Sequence, residues 1–258
     1  MSDAPGALVH DRFPPRRGAV RAATWWGRAW VRAAEEAAYD ERDAKQGRTL
    51  ARTGRVGAIG IEPGGATAVV EDTTGLHTVR VGLEQLRPAD WEAFLDELAA
   101  RAGHAAALLA GDLPHALMEE VEAAGVEVLP YGSELECFCP CEAWVQPCRH
   151  ALAVVYQLGW WVDEDPFVLL HLRGRPRADV LAGLNERYDA REEVVVEDDP
   201  DDRADPGIAE AVRDAAERAR ILLGLAEHAP TGDGLADSAV AAYDVAVAAL
   251  VSPGGSSR

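Results

Sequence analysis

A fourteen-residue segment, CFCPCEAWVQPCRH (137–150), holds all four cysteines of the chain and one of its seven histidines. It reads as Cys-x-Cys and, after eight residues, Cys-x-His. A structural zinc site needs four soft or borderline donors in a tetrahedron, with sulfur at about 2.3 Å and nitrogen at about 2.0–2.1 Å. Two residues spaced i and i+2 at a turn can aim both side chains at one ion, and two such pairs complete the shell. Pro140 and Pro147 stiffen the backbone beside each pair and lower the entropy lost on closing the site. The spacing therefore predicts a Zn2+ site made by Cys137, Cys139, Cys148 and His150, the choice that keeps both pairs. Cys141 is surplus to that set; it replaces Cys139, exchanges with it, or stays free.

Competing chemistries fit less well. Four thiols in so short a span offer little loop for a disulfide to constrain. The N-terminal stretch MSDAPGALVHDRFPPRRGAV has no apolar core ahead of a small-residue cleavage site, so a reducing cytoplasm is expected. A zinc deaminase requires His-x-Glu followed by Pro-Cys-x-x-Cys. Here the residue three beyond Cys141 is Trp144 and no His-x-Glu precedes it. A Cys–His nucleophile from Cys148 and His150 would first have to leave the metal, and no orienting group is apparent. Neither a GxxxxGK[ST] loop nor a GxGxxG opening a helix after a strand is present. A closed Cys3His shell leaves no position for water, so the expectation is a non-enzyme without a small-molecule substrate.

Around this segment the pattern is that of an α+β fold. Thr24 can cap a helix carrying Trp26, Trp30, Ala33, Ala34 and Ala37 on one stripe, which ends at the glycines of QGRTLARTGRV. Three short strands are expected over 55–62, 67–71 and 76–83, separated by the turn sequences PGG and DTTG and forming an antiparallel meander. In the third, His77, Val79, Val81 and Leu83 alternate with Leu76, Thr78, Arg80 and Gly82. Helices follow, with Trp91, Phe94, Leu95 and Leu98 on one stripe and a stop at Gly125. VEVLP (126–130) and SELECFC (133–139) are further strand candidates. A buried helix over 150–162 carries Ala151, Val154, Val155, Leu158 and Val162 on one face. A Pro-initiated segment and a helix over 176–184 close the body.

The expected organisation is a flexible basic arm over 1–22 and a body over 23–191 containing the finger at about 135–162. An acidic linker over 192–205 and a C-terminal helical hairpin over 206–258, with a disordered end, complete the chain. The formal net charge is −19, and 192–258 carry fifteen acids against five arginines. That field repels phosphates and excludes a general cationic nucleic-acid binder, although the body is less acidic than the whole. No apolar stretch is long enough to span a bilayer.

Cys137-Phe138-Cys139-Pro140 and Pro147-Cys148-Arg149-His150 resemble the SWIM zinc-finger pattern, CxC…CxH. In that family proline commonly follows the second cysteine, the ending is Pro-Cys-basic-His, and an apolar helix comes next. The wider chain, through TWWGRAW (24–30), GRTLARTGRV (47–56) and DEDPFVLLHLRGR (163–175), is similar to bacterial, actinobacterial-like SWIM-containing proteins over roughly 24–185. Cys141 departs from the family, which more often has a polar or acidic residue there. The resemblance implies zinc binding and a role in DNA or protein contact, some relatives accompanying Swi/Snf-type helicases or transposases. On that reading Trp144, Arg149, Arg173, Arg175 and Arg177 are the candidate contacts to DNA or a protein partner.

Overall fold

In a computed structural model the described residues are 8–18 and 21–195. The acidic linker beyond Val195 and the hairpin expected over 206–258 lie outside them. The body is mixed helix and antiparallel sheet. Its strands are β1 (Leu8–His10), β2 (Val56–Glu62), β3 (Gly65–Asp72), β4 (Gly75–Leu83) and β5 (Leu135–Phe138), hydrogen-bonded in chain order. Its helices are α1 (Trp25–Ala37), α2 (Glu41–Arg52), α3 (Pro88–Ala100), α4 (Ala102–Leu109), α5 (His115–Ala123), α6 (Arg149–Glu164), α7 (Pro166–Leu172) and α8 (Arg177–Val195). Among the described residues no helix is long and apolar enough to cross a membrane.

The meander forms because its alternation puts one side chain in two against the helices. Ile59, Ile61, Ala66, Ala68, Val70, Val79, Val81 and Leu83 are all buried. The register pairs Ala68 with Val79, Val70 with His77 and Asp72 with Gly75. The inward row therefore ends, at the hairpin tip, in Asp72 and His77, two polar residues continuing an apolar face.

Helix α6 lies on that inward face and packs against α1, α2, α7 and strands β2–β4. Its middle is enclosed on every side, with Ala151–Leu158 buried without a break, and the one amide in that run, Gln157, donates to the Ala51 carbonyl at 2.8 Å. Trp26 and Trp30 of α1 donate their indole N–H groups to the carbonyls of Val162 (2.8 Å) and Val155 (2.9 Å). Burying those large rings leaves no orphan donor. Thr24 caps α1 as its sequence position implies, accepting from the Gly27 amide.

Several local expectations differ from the structure. Of the glycines of QGRTLARTGRV only Gly54 ends a helix, taking a positive φ of 69° just past Thr53, the C-cap of α2, whereas Gly47 lies within it. The chain breaks earlier, at residues 38–40, and Asp40 caps a second helix, α2, that runs through Gly47. A Cβ on Gly47 would stand 2.7 Å from the Leu152 Cβ, so the glycine serves close approach of α2 to α6. The segment read as a flexible arm contributes β1, paired with β2, and buries Phe13 against the rings of Trp160 and Trp161. VEVLP forms no strand: the Val128 carbonyl accepts from the Arg173 guanidinium instead of a ladder partner. The closing helix runs on to Val195, past the expected end at 184 and into the first residues of the expected linker.

Candidate metal centre

Strand β5 carries the first cysteine. Cys137 pairs with Val81 on β4, and the strand ends at Phe138. The chain then loops through 139–147 and re-enters regular structure at Cys148, the residue that precedes α6. Gln146 ties the loop to itself, donating its side-chain amide to the Cys139 carbonyl and accepting from the Cys148 amide. His150 follows in the first turn of α6. The rigid sheet edge and the buried helix thus bring the two ends of the segment together.

Cys139, Cys141, Cys148 and His150 converge, with one ligand atom from each lying within 4.8 Å of all the others. The His150 Nδ1 is 3.7 Å from the Cys139 Sγ and 3.9 Å from the Cys148 Sγ. In a tetrahedral zinc site the edges implied by the usual bond lengths are about 3.8 Å for S···S and about 3.6 Å for S···N. None of the four cysteines is in a disulfide. Cys139, Cys148 and His150 are at most 4% exposed. Three thiols and an imidazole gathered this closely, three of the four buried and the imidazole nitrogen near edge distance from two sulfurs, fit a divalent ion, and the soft sulfur-rich donor set suits zinc.

The electrostatics point the same way. Burial pushes the Cys139 thiol up to about 12; the Cys141 amide pulls it down, while the Cys148 and Cys141 thiols add to the rise. Burial also raises Cys148, although the amides at the head of α6 pull in the opposite direction. Crowded thiols without a cation resist ionisation; a bound cation removes that penalty and releases protons. His150 is held below the usual histidine value, by burial first, which keeps the imidazole neutral as a ligand must be.

The converging group differs from the expected ligand set at a single position. Cys137 is not in the converging group and Cys141 is. Cys137 sits in the β4–β5 ladder, its own thiol pushed up to about 12 by burial and then by Cys148. The cysteine left outside the group is therefore the first of the segment rather than the third.

A second group of polar residues surrounds the outer edge of His150. Its Nε2 is 2.8 Å from the Asp72 Oδ2, and the same oxygen accepts from Arg149 at 2.9 Å. The other Asp72 oxygen accepts from the Thr74 amide (2.7 Å) and hydroxyl (2.5 Å) and lies 3.3 Å from the His77 Nε2. His77 stacks on His150 with ring centroids 4.1 Å apart and planes 14° from parallel. Burial alone would raise the Asp72 carboxyl. The bonds from Thr74, His150 and Arg149 outweigh it and hold the group well below the usual carboxylate range. Sequence reasoning passed over Asp72 as a turn residue. The alternation of β4 had already placed His77 with the inward residues, and counting back across the hairpin would have added Asp72.

The candidate contacts separate into two kinds. Trp144, near the tip of the loop, is fully exposed, and Val145 beside it is 38% exposed. The arginines are engaged with the protein itself. Arg173 is not at the surface at all: it is 2% exposed and bonds the carbonyls of Val128 and Glu84 and the carboxylate of Glu134. Arg175 pairs with Glu92 and lies over the Trp91 ring, Arg177 covers Phe167, and Arg149 is held by Asp72.

The chain is 34% identical over 170 residues to a protein of Mycobacterium tuberculosis (strain ATCC 25618 / H37Rv) titled "Uncharacterized protein Rv2102". The match covers 65% of this chain and 61% of that protein's length. No protein-family profile matches the chain, and no solved structure does.

Proposed function

We propose that this chain is a SWIM-type zinc-finger protein in which a structural Zn2+ fastens the 139–148 loop to α6, so that the loop presents Trp144 to a partner. The observation that carries this reading is a largely buried three-sulfur, one-nitrogen donor set whose connecting loop carries a fully exposed tryptophan. Four protein ligands leave no coordination position for substrate, which favours a scaffold over a catalyst. A fully exposed aromatic on a fixed loop is the kind of anchor that protein interfaces bury. Arg149, Arg173, Arg175 and Arg177 already have internal partners, which favours a protein partner over direct phosphate contact. By the SWIM resemblance that partner is a helicase or another DNA-processing protein.

The test has two parts. Metal analysis of the purified protein should give one zinc per chain. Cys148→Ser and Cys141→Ser should lose it, whereas Cys137→Ser should keep it. Retention of full zinc by Cys148→Ser defeats the site. Separately, fluorescence anisotropy with a labelled DNA duplex should show no binding at about 50 mM salt, where phosphate contacts are strongest. Affinity purification should recover a stoichiometric partner that Trp144→Ala releases without lowering the melting temperature. DNA binding that falls steeply with salt and is lost in Trp144→Ala would replace the protein-contact reading with direct DNA contact.

A further inference from the structure

The metal reading leaves unexplained why an aspartate and a histidine end the buried row of the β3–β4 hairpin. Asp72 is 8% exposed at its side chain and His77 13%, far from loop-tip values, and both face α6 rather than solvent. We propose that Asp72 is the positioning residue of the metal centre: it fixes His150 as the Nε2–H tautomer, so that Nδ1 is the atom offered to the ion. This inference rests on the metal reading and extends it to residues some 65 positions away from the finger.

The geometry leaves little choice of tautomer. An ionised carboxylate can only accept hydrogen bonds. With the Asp72 Oδ2 2.8 Å from Nε2, that nitrogen must carry the proton. A neutral imidazole has one proton, so Nδ1 keeps its lone pair, and Nδ1 is the nitrogen facing the sulfurs of Cys139 and Cys148. The carboxylate is itself immobilised: Arg149 holds one oxygen, and the amide and hydroxyl of Thr74 hold the other. His77 closes the outer face of the imidazole by stacking. Metal-bound histidines generally give their second N–H to such an acceptor, which sets ring orientation and raises basicity. Here the acceptor comes from the sheet, so the hairpin tip and the finger loop are joined through a single ring.

One competing arrangement uses the same atoms. Asp72, His77 and His150 also lie close enough together to hold an ion of their own. Arg149 argues against it, because a guanidinium 2.9 Å from the Asp72 Oδ2 already supplies the positive charge there.

The test compares the wild type with Asp72→Ala and Asp72→Asn, each loaded with zinc or with Co2+ as a spectroscopic probe. Chelator competition should show Asp72→Ala binding zinc about 10–100-fold more weakly. Asp72→Asn, whose amide oxygen still accepts from Nε2–H, should recover the larger part of the loss. Long-range 15N–1H NMR of the zinc-loaded wild type should show His150 protonated at Nε2 and metal-bound at Nδ1. In Asp72→Ala the thiolate-to-cobalt and d–d absorption bands should shift, a change that mere loss of fold stability does not produce. Unchanged zinc affinity in Asp72→Ala, or a wild-type His150 protonated at Nδ1, overturns the proposal while leaving the metal site standing. So does a second zinc per chain that disappears in both Asp72→Ala and His77→Ala, since that makes the cluster a metal site. A wild type that binds no metal removes the metal reading and this inference with it. If Asp72→Ala does not fold, the wild-type NMR assignment and Asp72→Asn decide the question.

Discussion

Replacing Arg173 by methionine keeps most of the side-chain volume and removes the guanidinium. The Nε donates to the Val128 carbonyl at 2.8 Å; one terminal nitrogen donates to the Glu84 carbonyl at 2.9 Å and to Glu134 at 2.8 Å. These bonds tie the chain after α7 to the β4–α3 connection, to the irregular segment at Val128 and to the turn before β5. Removing one member of a buried ion pair costs about 3–5 kcal/mol, because the remaining charge stays buried without a partner. Glu134 is 25% exposed and can recover some hydration, so the lower end, about 3 kcal/mol, is expected. For a domain of this size that lowers the melting temperature by about 6–12 °C, at about 2–4 °C per kcal/mol. Calorimetry with zinc held constant measures it. Glu134→Gln in the Arg173→Met background should cost less than the two single changes added together, since both act on one contact. The pH dependence has a definite sign. Burial raises the Glu134 carboxyl, but the Arg173 bond and the Tyr131 amide bring it below its ordinary value. Its stabilisation is therefore complete above the unfolded value of about 4.3 and lost as pH falls through the depressed folded value. The difference between wild type and Arg173→Met should be flat at neutral pH and shrink in acid. An Arg173→Met protein melting within about 2 °C of wild type would refute the argument, that shift corresponding to less than about 1 kcal/mol.

Two further substitutions probe how the centre is held. Gly47→Ala gains about 1 kcal/mol of helix propensity, but its Cβ would meet the Leu152 Cβ at 2.7 Å and the Arg149 carbonyl at 3.1 Å. Overpacking of about 1–3 kcal/mol should win, so urea unfolding should find Gly47→Ala less stable, and equal or greater stability would show that α2 does not press on α6 as described. Asp165 caps α7 by accepting from the Phe167 amide, while burial pushes its carboxyl above the ordinary value. A raised carboxyl disfavours the ionised form, so stability is lost as pH rises from the unfolded value of about 3.9 through the folded one. Asp165→Asn keeps the acceptor without the charge and should be at least as stable at pH 7, whereas Asp165→Ala should lose about 0.5–2 kcal/mol; equal losses in both would refute the assignment.

Much of the body was legible because its periodicities are strong. The stripe through Trp91, Phe94, Leu95 and Leu98 is buried as a unit, and so is the face through Ala151, Val154, Val155, Leu158 and Val162. The meander was legible from alternation and from turn residues. What escaped was decided by tertiary contact. Gly47 looks like a helix terminator in isolation and becomes a contact point only once α6 is laid across it. VEVLP has the composition of a strand, yet a buried arginine takes one of the carbonyls a ladder would use. Arg173 sits in an arginine-rich run that reads as surface, and only the fold reveals the carbonyls and carboxylate waiting for it.

The candidate centre shows the same division at closer range. Pairing cysteines by spacing treats Cys137 and Cys139 as equivalent, because i and i+2 share a face for as long as the strand continues. The strand stops at Phe138. From there Pro140 bars a regular ladder, and the chain curls so that Cys139 and Cys141, not Cys137 and Cys139, become the neighbours at the turn. Cys137 keeps its place opposite Val81, where the register of β5 on β4 holds it. A spacing rule can count donors but cannot locate the last residue of a strand, and here that one residue decides which cysteines converge. Asp72 escapes for a related reason: its partner is 78 positions away, and only the β3–β4 register turns a hairpin-tip aspartate inward to meet a histidine on α6. The donors of this centre are written locally in the chain, while their identity and orientation are set by how far one strand runs and how another pair is aligned.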